Sequence, residues 1–102
     1  MNAKLYQADA VELMRSIPDR SVHAVCADPP YCAGGFTASS RTAGSYGGKL
    51  GISADNLQPE GFEELIRLVA VQSRRVLVPG GWLLLFSDWR MIPQVARAAE
   101  SA

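Results

Sequence analysis

With 102 residues, 48% hydrophobic and 20% charged, the chain has room for at most one small domain and buries a smaller share of its surface than a larger one would. Ten basic residues balance ten acidic ones, which removes any global electrostatic reason to expect a nucleic acid. Two cysteines, Cys26 and Cys32, are too few for a disulfide framework and match no common zinc spacing, so a reducing cytoplasm is the natural setting. No apolar run of signal-peptide length follows Met1, and Trp82 to Phe86 is far shorter than the roughly 20 residues that cross a bilayer. A soluble, cytoplasmic protein is expected.

In chain order, Lys4 to Ala8 reads as a short first strand. Asp9 then stands where a helix N-cap belongs, with Glu12 three residues on and Leu13 and Ile17 giving an apolar face. Pro18 to Ser21 supplies turn residues, and Val22 to Ala27 resumes as a strand whose nearly continuous apolar content predicts burial on both faces. From Cys32 to Asn56 periodicity disappears. This stretch holds six of the nine glycines, with Arg41 and Lys49 and no acid before Asp55, and reads as a long, mobile, mildly basic loop acting as a lid.

Order returns at Pro59, a favoured first helical residue. Phe62, Leu65, Ile66, Val69, Val76 and Leu77 recur at helical spacing, with Glu60, Glu63 and Glu64 early and Arg67, Arg74 and Arg75 late, as the helix dipole favours. Arg74 and Arg75 read as a solvated helix end. Pro79-Gly80-Gly81 is expected to stop that helix, and Trp82 to Phe86 to follow as a third buried strand. Ser87 or Asp88 then caps a last helix containing Val95, Ala96 and Ala99, with Pro93 in its first turn.

The alternation predicts an α/β fold of three parallel strands with flanking helices, in one domain without internal repeats. Asp9, Asp28 and Asp88 each follow a strand, and in open parallel sheets ligands bind at that edge. Three carboxylates are therefore expected to converge on one crevice. Asp9 suits either a cap or a ligand contact, and Asp88 suits a cap better than a ligand. His23 takes no role; Cys26, Trp82 and Trp89 read as packing residues. Gly34-Gly35 and Gly47-Gly48 suit a flexible lid and not a phosphate cradle, since no strand–glycine–helix context surrounds them.

Asp28-Pro29-Pro30-Tyr31 carries the most information. With average residue usage, a specified tetrapeptide of this kind arises by chance in roughly one chain of this length in a few thousand. It places a carboxylate, two φ-restricted prolines and an aromatic ring where a strand ends. The plainer interpretation is a turn. The tetrapeptide nevertheless resembles the catalytic motif of the amino-group DNA methyltransferases, which methylate adenine N6 or cytosine N4 with S-adenosylmethionine. The stretch "YQADAVELMRSIPDRSVHAVCADPPY", Tyr6 to Tyr31, is similar to the opening of the members with permuted motif order, and "VLVPGGWLLLFSDWR", Val76 to Arg90, continues the similarity.

The resemblance implies a partial Rossmann-like methyltransferase fold. Asp28, Pro29, Pro30 and Tyr31 would be catalytic, while Asp9 and the Ala10 N–H would hold the adenine of the cofactor. An exocyclic base amine is a weak nucleophile because its lone pair is delocalised into the ring. Accepting its hydrogens at Asp28 and the Pro29 carbonyl would localise that pair, and a fixed anion would stabilise the developing positive charge. The base would be flipped out of a duplex and stacked on Tyr31. Arg41 and Lys49 could contact phosphates, although two cations make a weak footprint.

A complete permuted enzyme would also carry a Phe-x-Gly-x-Gly cofactor loop and a target-recognition region, and the 102 residues contain neither. The expectation is thus the N-terminal portion of a DNA methyltransferase, with weak cofactor binding by the isolated chain. Adenine is favoured over cytosine by family tendency. Two other possibilities stay open: a catalytically silent half of a split enzyme that self-associates or assembles with a partner, and an amino methyltransferase acting on RNA or a protein amide.

Overall fold

The structure, a computed structural model, describes residues 2–30 and 59–102. Tyr31, Arg41, Lys49, Cys32 and the expected lid, 32–56, lie outside the described residues. The elements are α1 (Ala10–Arg15), β1 (Val22–Ala27), α2 (Pro59–Val76), β2 (Leu77–Leu85), a 3-10 turn (Trp89–Met91) and α3 (Ile92–Glu100). β1 and β2 pair in parallel, and Phe86 N–H extends the ladder by donating to the Ala27 carbonyl at 3.0 Å. The α/β class is therefore correct, but the sheet has two strands among the described residues and not three.

Lys4 to Ala8 does not form the expected first strand. Leu5 is 99% exposed and Tyr6 is also exposed, so the segment's apolar side chains have no face to cover them. A strand needs a hydrogen-bonding neighbour as well as a β-prone sequence. Asp9 behaves as predicted: its Oδ1 accepts from Glu12 N–H at 3.0 Å, and Leu13 N–H bonds the Asp9 carbonyl at 2.9 Å. The Glu12 side chain pairs with Arg15.

α2 organises the core. Phe62, Ile66, Val69, Ala70, Ser73 and Val76 are all buried, and their spacing puts them on one face of the helix. The cluster of Phe62 and Ile66 with Met91, Val95 and Ala98 joins α2 to α3, with Leu85 of β2 packed against it. Burying side chains the size of Phe62, Ile66 and Val76 stabilises by about 1.5–3 kcal/mol each. Pro93 sits in the first turn of α3, where its missing N–H has no consequence.

The expectation that both strands are buried on both faces is wrong. Val25, Ala27, Leu83 and Leu85 are half-buried, while Ala24, Cys26, Trp82, Leu84 and Phe86 are exposed. The alternation arises because the described helices cover one face of the sheet. Cys26 is therefore an exposed free thiol and not core. Trp82 and Trp89, at 71% and 77% exposure, are not packing residues here.

Pro79-Gly80-Gly81 does not separate α2 from β2. The helix ends at Val76 and the strand begins at Leu77, so the prolyl-glycyl stretch lies inside the strand. The ladder pairs Val22 with Leu77 and next Ala24 with Trp82, which leaves Val78 to Gly81 bulged opposite His23. Gly80 has φ +81°, which a side chain disfavours. A Cβ at Gly81 would lie 3.0 Å from the carbonyl oxygens of His23 and Val78.

Gly80→Ala is expected to lower stability by about 1 kcal/mol through backbone strain. Gly81→Ala should cost about 1–3 kcal/mol, because backbone oxygens cannot move aside as a side chain would. Urea unfolding midpoints check both. Ser73 is fully buried and its Oγ has no hydrogen-bond partner among the described residues. Ser73→Ala should therefore raise stability by about 1 kcal/mol in the same assay.

Candidate functional site at the end of the first strand

Asp28, Pro29 and Pro30 leave the C-terminal end of β1 and line a cavity of about 490 Å³. The helix preceding β1 contributes Ala10 and Met14, with Ile17 just beyond its end. Leu65, Val69 and Val76 of α2 form the opposite wall. The floor is β1 itself, from Val22 and from Ala24 through Ala27, so the cavity follows the strand edge that β2 does not occupy. Its lining is apolar apart from Asp28 and backbone groups, and its volume falls in the range of about 300–1,000 Å³ usual for small-molecule sites.

Two of the sequence-predicted groups thus meet at one place: the Asp28-Pro29-Pro30 corner and the start of α1 at Ala10. Asp28 is exposed and the prolines are half-buried, and the two proline rings restrict the backbone where the strand ends. The first amides of a helix have no intrahelical acceptor, so the Asp9–Ala10 corner offers donors beside a carboxylate. Asp9 uses Oδ1 to cap Glu12, and a carboxylate retains further acceptor capacity after one such bond.

Of the three carboxylates expected to converge, Asp28 alone lines this cavity; Asp9 and Asp88 do not. Asp88 follows β2, but it lies outside the lining of this cavity. Its Oδ1 accepts from the Arg90 N–H at 2.9 Å and its Oδ2 from Arg90 Nη2 at 2.7 Å, capping the 3-10 turn. The Arg90 guanidinium, and secondarily the Arg90 backbone N–H, hold its carboxyl below the ordinary aspartate value of 3.8. His23 is exposed on β1.

A residue dismissed in the sequence reading shapes the site. Arg75 is not a solvated helix end: its side chain is 31% exposed and it donates from Nη1 to the Ile17 carbonyl at 2.8 Å and from Nη2 to the Met14 carbonyl at 2.7 Å. It also pairs with Asp19, while Nε donates to Gln72 Oε1 at 3.0 Å. Arg74 donates from Nη1 to the Ala102 carbonyl at 2.8 Å, so it too has a partner. Backbone carbonyls carry no residue-type signature, and no sequence signal could have named Met14 and Ile17 as Arg75's acceptors.

No protein-family model, curated protein or solved structure matches the chain. Among the described residues there is no cluster of His, Cys, Asp and Glu suited to a metal ion, and no helix long and apolar enough to cross a membrane.

The Asp88 cap has a defined pH dependence. Because its folded pKa is depressed, its contribution is present above the ordinary aspartate value of 3.8 and is lost as pH falls through the lower folded value. Carboxyl-carbon NMR titration should place the Asp88 midpoint below that ordinary value, and Arg90→Ala should bring it back up.

Proposed function

We propose that this chain carries the base-gripping part of an S-adenosylmethionine-dependent methyltransferase acting on an exocyclic amino group of DNA, adenine N6 in preference to cytosine N4. The observation that carries the reading is the meeting of Asp28-Pro29-Pro30 with Ala10, the residue after the Asp9 cap, across one apolar cavity at a strand end. The similarity of Tyr6–Tyr31 and Val76–Arg90 to the permuted amino methyltransferases supplies the reaction class. The Rossmann-like fold belongs to the same proposal.

In this reading Asp28 and the Pro29 carbonyl accept hydrogen bonds from the target amine and localise its lone pair. The Asp28 carboxylate stabilises the positive charge that develops on that nitrogen. The cofactor supplies an electrophilic methyl group on a sulfonium. Asp9 accepts from the adenine amino group of that molecule, the Ala10 N–H donates to a ring nitrogen, and the apolar walls from Met14, Leu65 and Val69 exclude water from the ring. Tyr31 would stack on the flipped base, and Arg41 and Lys49 would contact phosphate; all three lie outside the described residues.

A second reading has its own support. The exposed row of Trp82, Leu84 and Phe86 on the uncovered sheet face suits a module that assembles with a partner, such as one part of a split enzyme. Methyl transfer by an assembled pair satisfies both readings, whereas a silent module transfers nothing.

The test is transfer of labelled methyl from S-adenosylmethionine to DNA, by this chain and by a longer chain containing it, with identification of the modified base. Transfer to an adenine or cytosine amino group is expected wherever the cofactor loop is supplied. Asp28→Ala should abolish it while the circular dichroism spectrum keeps its folded shape. Methyl transfer retained by that variant would remove Asp28 from the chemistry.

A further inference from the structure

We propose that Arg75 is a positioning residue that sets the pose of α1, and with it the separation of Ala10, at the corner after the Asp9 cap, from Asp28 across the cavity. The nucleoside side of this proposal rests on the reading above, in which that corner receives an adenine. Arg75 itself is absent from the cavity lining; it acts through residues that are present there.

α1 needs an external anchor. It spans six residues, Ala10–Arg15, well below the roughly 12–15 at which isolated helices become even marginally stable. Val11 is its one buried side chain. Its N-terminus has the Asp9 cap, and its C-terminal end is held from outside by the Arg75 guanidinium on the Met14 and Ile17 carbonyls. Those same two residues line the cavity. Any shift of Arg75 is therefore transmitted to the wall facing Asp28 and along one short helix to Ala10.

The anchor is itself held in place. Gln72, one turn earlier on α2, receives the Arg75 Nε–H, and Asp19 pairs with Nη1. The Arg75 carbonyl accepts from Arg20 N–H at 3.0 Å, and the next residue, Val76, accepts from Ser21 N–H at 2.8 Å. Side chain and backbone of one residue thus grip both sides of the turn that joins α1 to β1. A planar fork of five donors can span these acceptors at once, and a lysine ammonium cannot. Arg67 shows the contrast, for its guanidinium pairs with Glu64 on its own helix.

The experiment uses the full chain with Cys32→Ser and a nitroxide on Cys26, which is exposed and lies on the cavity's floor. Paramagnetic broadening of backbone amides is measured for the parent, Arg75→Ala, Arg75→Lys and Gly80→Ala. The last loses stability in the β2 bulge without touching α1. In parallel, adenosine binding by the unlabelled proteins is followed by amide shift changes.

In the parent, broadening should reach Ala10 to Leu13. Arg75→Ala should reduce and spread it there while the Trp82 to Leu84 amides keep theirs, and should weaken adenosine binding by at least about tenfold. Arg75→Lys should fall between, and is read in its place if Arg75→Ala does not fold. Gly80→Ala should match the parent in both readouts. Broadening unchanged in the arginine variants, adenosine affinity unchanged where the parent binds, or equal losses in Gly80→Ala would each overturn the proposal. A parent that binds no adenosine while Arg75→Ala still releases α1 would leave the positioning role standing and remove the nucleoside reading.

Discussion

The junction between α2 and β2 is the constraint on which the rest of the described structure depends. Val76 ends a helix and Leu77 begins a strand with no loop between them, so the helix axis and the strand direction are set by one peptide unit. The carbonyls of Arg75 and Val76 receive the amides of Arg20 and Ser21, which makes the turn before β1 part of the same joint. Once this joint forms, β1 is delivered alongside β2 in the parallel register. α1 hangs from the other side of the turn, where Arg75 takes its last carbonyls. The cavity beneath Asp28 is the space left between these pieces, so its shape follows from the joint and not from the residues at its mouth.

The parts of this arrangement legible in the sequence are those that local chemistry decides. Phe62, Ile66, Val69 and Val76 recur at helical spacing and are buried as that spacing implies. Asp9 and Asp88 cap because short carboxylates reach amides two or three residues on, whatever the fold. Val22 to Ala27 is a strand with the expected bounds. Ala10 does line the cavity with Asp28, but not for the expected reason, since no strand ends before it: α1 leads straight into the turn before β1, so its start lies back towards the end of that strand.

What was not legible depends on neighbours far along the chain. The apolar content of Trp82 to Phe86 suggested two-sided burial, yet a residue's face is buried only if something covers it, and composition does not say what does. Lys4 to Ala8 has the residues of a strand without a partner strand. Pro79-Gly80-Gly81 has the composition of a break, but within a parallel ladder the same residues serve as a bulge whose Gly81 lies against the backbone of β1. Arg75 looked like dipole compensation at a helix end because its true acceptors are carbonyls some 60 positions away in sequence.

The parallel pairing of Val22 with Leu77 also bears on how the connection between them can vary. More than half of the chain is closed into one loop by that contact. Loop-closure entropy grows with the logarithm of length, and doubling a flexible connection adds only about 0.6 kcal/mol. A change in the length of the loop that this contact closes therefore alters its closure cost only slowly, provided that the α2–β2 joint is kept.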